Sequence, residues 1–167
     1  APGFIDLHVW GSPSAVSAAA ARHGTTAFLS ALGPEPRERL LEHLERHGSL
    51  QALSGAQCLG VHLEGPFLNP ARGGALPRRW MRRPSVAELA ACARQARVRL
   101  VTLAPELPGA LAVIRWLVRR GIVVSLGHSE ADAAQALRAV EAGARAVTHA
   151  FNGMRPFHHR RPGLVDV

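Results

Sequence analysis

The 167-residue sequence contains neither lysine nor tyrosine, and its cysteines are Cys58 and Cys92 alone. Two cysteines that far apart cannot build a disulfide framework, so we expect a reducing compartment, the cytoplasm. The first six residues lack the basic and apolar regions of a secretory signal, which agrees with that expectation. No apolar run approaches the ~20 residues that a membrane helix needs, so we predict no membrane partner.

Positive charge comes from arginine alone, and the formal net charge at pH 7 is +8. Nucleic-acid-binding proteins usually cluster their cations on one face, with aromatic residues between them. Here the 20 arginines are scattered along the chain. Arginine without lysine, together with abundant alanine, is typical of the coding bias of a GC-rich genome. We therefore predict no nucleic-acid partner, although a basic nucleic-acid-binding domain stays a competing hypothesis.

Six short segments rich in Val, Ile, Leu, Thr and Phe recur along the chain, separated by helical patterns. Such runs are typical of parallel strands that are covered on both faces. The predicted strands are residues 4–10, 26–31, 58–64, 99–104, 122–127 and 146–151.

Cap residues and apolar stripes mark the helices between these strands. Ser85 and Glu88 match a capping box, in which each side chain bonds to the backbone N–H of the other residue. Ser129 with Asp132 can cap a later helix. The predicted buried face of that helix is Ala133, Ala136, Leu137 and Val140. The alternation predicts right-handed βα units around a parallel sheet.

The number of βα units leaves two α/β architectures open. A closed (β/α)₈ barrel has eight strands and typically about 250 residues, whereas this chain offers six units. A six-stranded, open, doubly wound sheet fits the length, but no glycine-rich phosphate loop follows the first predicted strand. The chemistry of the polar residues has to decide between them.

Unusual polar side chains occur where the predicted strands end. They are His8 on the first strand, His62 and Glu64 on the third, and His128 and His149 on the last two. Functional residues of βα barrels project from these carboxyl ends. A lone histidine is more often a packed or solvated residue. A carboxylate that closes an apolar strand, however, needs a cation or donors to stay charged. One carboxylate and two imidazoles from three strand ends match the ligands of a hydrolytic divalent metal such as Zn²⁺.

At these residues the sequence resembles the N-acetylglucosamine-6-phosphate deacetylases, a family of the amidohydrolase superfamily. The matching segments are PGFIDLH (2–8), GVHLEGPFLNP (60–70), TLAPE (102–106), SLGHS (125–129), THAFNGM (148–154) and RRPG (160–163). They span nearly the whole chain in the expected order, and HLEGP combined with THAFNGM is highly specific.

The resemblance implies a TIM-like (β/α)₈ barrel of the metal-dependent hydrolase type, of which residues 1–167 would supply about six βα units. Its metal ligands would be Glu64, His128 and His149. They would hold one divalent ion, with zinc favoured over iron or another metal. The implied reaction converts N-acetylglucosamine 6-phosphate to glucosamine 6-phosphate and acetate.

The resemblance also implies which residues meet the amino-sugar phosphate. Ala75, Asn152 and Gly153 would contact the substrate, and Arg160 would hold its phosphate through a planar fork of donors. Intact members of the family are expected to form homodimers.

Three departures from the family pattern bear on activity. Many members have His-x-His where this chain has His8, Val9 and Trp10, which favours one metal ion rather than two. Leu76 stands where a family histidine approaches the substrate. The catalytic aspartate and the last two βα units of the family lie beyond Val167, and the small β-domain is missing. We therefore expect this chain alone to be inactive. The competing interpretation is a non-catalytic relative that binds metal or sugar phosphate without turnover.

Overall fold

The computed structural model describes residues 13–48 and 54–167, in which helices and parallel strands alternate. The strands are β1 (Ala27–Leu32), β2 (Gln57–Glu64), β3 (Val98–Leu103), β4 (Val123–Leu126) and β5 (Ala146–Val147). The helices are α1 (Pro13–Arg22), α2 (Arg37–Gly48), α3 (Val86–Gln95), α4 (Ala110–Val118) and α5 (Ala133–Glu141). Short 3₁₀ turns cover Pro70–Arg72, Arg78–Trp80 and Leu164–Asp166.

The five described strands lie side by side in chain order, and every neighbouring pair is parallel. A doubly wound sheet reverses its strand order at a switch point, and these strands do not. Sequential βα units instead curl the sheet into part of a barrel. The predicted barrel class is therefore confirmed, and the doubly wound alternative is excluded for the described strands.

The main core lies between the helices and the outer face of this curled sheet. Val61, Leu63, Val101 and Leu103 supply the sheet side of it and are almost fully buried. The helix side consists chiefly of Leu40, Leu44, Leu89, Val113, Ile114 and Leu117. Each such side chain contributes about 1.5–3 kcal/mol when it is fully buried. Within the described segments, no helix is both long and apolar enough to cross a membrane.

Near its carboxyl edge the inner face of the sheet carries polar side chains. Residues two apart on a strand share a face, so His62 lies on the same face as Glu64. His62 Nε2 lies 2.7 Å from Thr102 Oγ1. Thr148 Oγ1 lies 2.8 Å from Thr102 Oγ1 and 2.6 Å from Ser125 Oγ. These hydroxyls bond the ends of three neighbouring strands to one another beneath the carboxyl edge of the sheet.

The predicted strands match the structure except at the two ends of the chain. Four of them coincide with β1 to β4 to within a few residues. The last prediction, residues 146–151, is wrong beyond Val147, because His149 and Phe151 adopt positive φ angles of 54° and 72°. A strand has negative φ angles throughout. The first prediction, residues 4–10 with His8 and Trp10, lies outside the described residues.

The predicted buried face of α5 is also partly wrong. Ala136 and Ala139 are buried, whereas Leu137 and Val140 are exposed. The helix packs through small residues, so its apolar stripe is turned away from the sheet centre. Val140 lines a groove beside β5 together with Val147 and Leu164.

Candidate metal centre

Glu64, His128 and His149 all lie at the carboxyl edge of the sheet. Glu64 is the last residue of β2, and each histidine comes two residues after its strand, β4 or β5. Because parallel strands end at the same edge, side chains that are distant in sequence can meet there. The structure brings all three together.

The three side chains converge on one carboxylate oxygen. Nε2 of His128 donates to Oε1 of Glu64 over 2.9 Å, and Nε2 of His149 donates to the same atom over 2.8 Å. One ligand atom from each residue lies within 4.8 Å of the other two. The two imidazole rings meet edge to face, with 5.4 Å between their centroids. Glu64 and His128 are buried, whereas the His149 side chain is 53% exposed. One side of the cluster is therefore open to solvent.

A backbone carbonyl fixes the orientation of His128. Nδ1 of His128 donates to the carbonyl oxygen of Arg72 over 2.8 Å, which directs Nε2 towards Glu64. Burial by itself lowers the pKa of this imidazole, but the hydrogen bonds to Glu64 and Arg72 and the charge of Glu64 outweigh burial. The pKa of His128 is therefore raised above its usual 6.5. A carbonyl partner on the far nitrogen is the usual way in which proteins orient a metal-binding histidine.

The donor set fits a divalent transition metal. Two imidazole nitrogens and one carboxylate oxygen are ligands that Zn²⁺ accepts, and three protein ligands leave a position open in catalytic sites. Ligand atoms around one tetrahedral zinc ion lie about 3.3 Å apart. In the cluster two pairs of ligand atoms lie at hydrogen-bond distances of 2.8 and 2.9 Å, and all three atoms lie within 4.8 Å of one another, so the set is of a size that one ion can bridge.

A cleft of about 680 Å³ opens onto this cluster. Three of the four residues predicted to contact substrate line it, namely Ala75, Asn152 and Gly153. Gly153 has a φ of 60°, and a Cβ there would lie 3.4 Å from Nδ1 of His128. Glycine at this position therefore leaves room beside the imidazole. The same cleft is lined by Leu76 and by two cationic residues, Arg39 and Arg79, which the sequence did not single out.

Arg160 does not line this cleft. It is exposed in the loop before the last 3₁₀ turn, where its backbone N–H donates to Nδ1 of His158 over 3.2 Å. Its neighbours His158 and Arg161 line a separate groove with Glu130 and Arg155. Its assignment to the substrate phosphate stays a prediction.

The sequence did not predict two contacts that position the candidate ligands, the carbonyl of Arg72 and the carboxylate of Glu106. Every residue has a backbone carbonyl, so nothing in the sequence marks the one of Arg72. Glu106 lies within the matched segment TLAPE, which was a usable signal, but no role was derived for it. Its carboxylate joins the loops that carry the candidate ligands.

No protein-family model matches the chain. The N-acetylglucosamine-6-phosphate deacetylase of Bacillus subtilis (strain 168) is 38% identical to it, over 99% of this chain and 47% of its own length. The crystal structure of the N-acetyl-D-glucosamine-6-phosphate deacetylase of Mycobacterium smegmatis matches with a TM-score of 0.82 and 36% identity, over 98% of this chain and 47% of that one. A mutant of that enzyme in complex with N-acetyl-D-glucosamine-6-phosphate matches with a TM-score of 0.80 and 37% identity, over 98% and 46%. The chain thus spans about half the length of the relatives that it matches.

Proposed function

The chain is homologous over its whole length to the N-acetylglucosamine-6-phosphate deacetylases, and from this premise we propose that it carries the metal-binding side of such an active site. The proposed reaction hydrolyses the acetamide of N-acetylglucosamine 6-phosphate. The oxygen of water bonds to the carbonyl carbon and the C–N bond breaks, so acetate leaves with that oxygen, while the nitrogen stays on glucosamine 6-phosphate and takes up the protons of water. The observation that carries the proposal is the convergence of three candidate ligand atoms within 4.8 Å.

Glu64, His128 and His149 would hold one divalent ion, for which we propose zinc. Such an ion supplies a Lewis acid for amide hydrolysis when it is bound. Glu64 would neutralise part of the cation charge from its buried position, and the carbonyl of Arg72 keeps His128 turned towards Glu64. The exposed side of His149 leaves the cluster open to the cleft, so a substrate amide can approach from there.

The cleft supports three of the four proposed substrate contacts, all except Arg160. Ala75, Asn152 and Gly153 line the cleft together with the two histidines, and the backbone N–H of Asn152 donates to the carbonyl of His149 over 2.6 Å. We propose that Arg160 holds the phosphate, since a guanidinium fork matches phosphate oxygens. Arg39 and Arg79 also line the cleft and add positive charge that favours an anionic sugar, beside the carboxylates of Glu35 and Glu64.

Metal binding is the first test of this proposal. The purified chain is stripped with a chelator and titrated with Zn²⁺, and bound metal is measured by mass spectrometry and calorimetry. We expect one ion per chain, with binding lost in Glu64→Gln and His128→Ala and kept in Glu141→Gln, an exposed control on α5. Failure of the wild-type chain to bind stoichiometric zinc would refute the site.

Substrate binding and acetate release form the second test. The zinc-loaded chain is offered N-acetylglucosamine 6-phosphate and, as a control, N-acetylglucosamine without phosphate. We expect binding of the phosphorylated sugar only, and weaker binding in Arg160→Met. Metal-dependent acetate release would show the complete reaction. Binding of both metal and sugar phosphate without acetate would favour the competing interpretation, a relative without turnover.

Three further expectations belong to this proposal. We propose that residues 1–167 form a single partial barrel domain, that the protein is a homodimer and that it acts in the cytoplasm. Limited proteolysis, light scattering and cell fractionation would test these in turn.

A further inference from the structure

Glu106 lies in the turn after β3, where three donors from two other loops meet its carboxylate. Oε1 accepts from Nδ2 of Asn69 over 2.9 Å and from the backbone N–H of Glu130 over 2.7 Å. Oε2 accepts from Oγ of Ser129 over 2.7 Å. Asn69 belongs to the loop after β2, and the other two follow His128 after β4. A single carboxylate therefore bonds the loop that follows Glu64 to the loop that carries His128.

Two backbone hydrogen bonds extend this cluster to the candidate ligands. The N–H of Asn69 donates to the carbonyl of His128 over 2.9 Å, and the N–H of Ser129 donates to the carbonyl of Gly153 over 3.0 Å. Gly153 lies in the loop that carries His149. The loops after β2, β4 and β5, which follow or carry the three candidate ligands, are thus joined by Glu106 and by these two backbone bonds.

We propose that Glu106 is a positioning residue that holds His128, and through it the metal centre, in the geometry needed for a divalent ion. The inference rests on the proposed metal site. A carboxylate suits this role because it is an acceptor only and can take several donors at once. Ser129 is fully buried, and its hydroxyl also accepts from the N–H of Ala131 over 2.9 Å. Its single proton is therefore committed to Glu106.

His128 needs such support because its own backbone is unfavourable. Its φ of 48° places a non-glycine residue in the left-handed region, which costs about 1–2 kcal/mol for an L-residue. The carbonyl of His128 accepts from the N–H of Asn69, and the next two residues, Ser129 and Glu130, donate to the Glu106 carboxylate, and these bonds hold His128 there. Without Glu106, the loop could relax to a conformation in which Nε2 no longer faces Glu64.

Zinc titration of three variants of the whole chain tests the proposal. Glu106→Ala removes all three acceptor contacts, and we expect zinc affinity to fall about 10–100-fold, as for other residues that orient metal ligands. Glu106→Gln keeps an acceptor for Asn69 and Glu130 but places an NH₂ donor against the Ser129 hydroxyl, so we expect a zinc affinity between those of the wild-type chain and Glu106→Ala. Asp132→Ala is the matched control. The Asp132 carboxylate lies in the same loop but caps α5 by accepting from the N–H of Gln135. Its removal therefore leaves the hydrogen bonds to Glu106 in place.

Hydrogen exchange on the metal-free protein supplies a second, independent readout. The amides of Asn69 and Ser129 should exchange faster in Glu106→Ala than in the wild-type chain, and at the wild-type rate in Asp132→Ala. Normal zinc affinity in a folded Glu106→Ala variant, or an equal loss in Asp132→Ala, would overturn the proposal. If the wild-type chain binds no zinc, the metal proposal fails. The exchange rates then decide whether Glu106 orders these loops.

Discussion

Arg82 connects three segments at the rim of the cleft, and its replacement gives a quantitative test of the structure. Nε of Arg82 donates to both carboxylate oxygens of Glu88, over 2.9 and 3.1 Å, and a second guanidinium nitrogen also pairs with that carboxylate. Nη1 donates to the carbonyls of Glu35 and Trp80, over 2.9 and 2.7 Å. One side chain therefore joins the loop after β1, the segment before α3 and α3 itself.

The expected loss of stability follows from the burial of Glu88, whose side chain is only 10% exposed. Arg82→Met leaves that carboxylate buried without its cation, a change that typically destabilises a protein by about 3–5 kcal/mol. For a protein of this size, the melting temperature should fall by roughly 6–20 °C. Removing both charges, in Arg82→Met with Glu88→Leu, should recover much of the loss, because no unpaired charge then remains buried.

Urea unfolding, followed by circular dichroism, measures these free energies. Arg83→Met is the matched control, since Arg83 is the adjacent residue and is exposed. A loss below about 1 kcal/mol for Arg82→Met would place the pair with ordinary surface ion pairs and contradict the argument. A double variant less stable than either single variant would contradict it too. Trp80 lines the cleft, so Arg82→Met should also weaken sugar-phosphate binding while zinc affinity stays unchanged.

Three further outcomes follow from the partly buried Thr148 and His47 and from the buried Cys92. Thr148→Val removes a hydroxyl that lies 2.6 Å from Oγ of Ser125, and it should lower the free energy of unfolding by about 1–3 kcal/mol, with Thr148→Ser restoring it. Burial lowers the pKa of His47 below 6.5, so its neutral form favours folding. That stability is present above pH 6.5 and is lost as the pH falls through the folded pKa, and an unchanged acid slope in His47→Gln would contradict this. Burial raises the pKa of Cys92 to about 11, so iodoacetamide at pH 8 should label Cys58 first by mass spectrometry, whereas equal rates would argue against it.

The positions of the described strands could be predicted from the sequence because they depend on a robust pattern, whereas that pattern left their order open between a barrel and a doubly wound sheet. Apolar runs of four to eight residues between capped helices define βα units wherever they occur. Local cap chemistry was also informative, since Asp132 caps α5 and forms a capping box with Gln135. Ser85 likewise accepts from the N–H of Glu88. The other half of that predicted box is replaced, because the Glu88 carboxylate pairs with Arg82 instead. A local motif cannot show that a stronger, charged partner is available.

The errors at β5 and α5 have a different physical origin. Helical periodicity identified an apolar face on α5, but it cannot tell which neighbours will cover that face. Leu137 is 49% exposed although it lies on the predicted stripe. At β5 the apolar and β-branched residues favoured a longer strand, whereas the backbone turns after Val147 to present His149. At these positions the turn of the backbone at the carboxyl edge of the sheet overrides the strand propensity of the residues.

At positions 128 and 149, histidine both tolerates a left-handed backbone conformation and supplies a candidate metal ligand. Both residues adopt left-handed φ angles, 48° and 54°, immediately beyond strand ends. Among non-glycine residues, histidine is one of those enriched in that region, whereas a β-branched residue there is a genuine outlier. The turn takes each imidazole out of the alternation of its strand, and both rings then reach one carboxylate oxygen. The backbone cost is offset by bonds such as the one from the N–H of Asn69 to the His128 carbonyl. The ligand geometry therefore depends on loop contacts made by residues other than the three ligands. A substitution such as Glu106→Ala should lower zinc affinity although Glu106 is not itself a ligand.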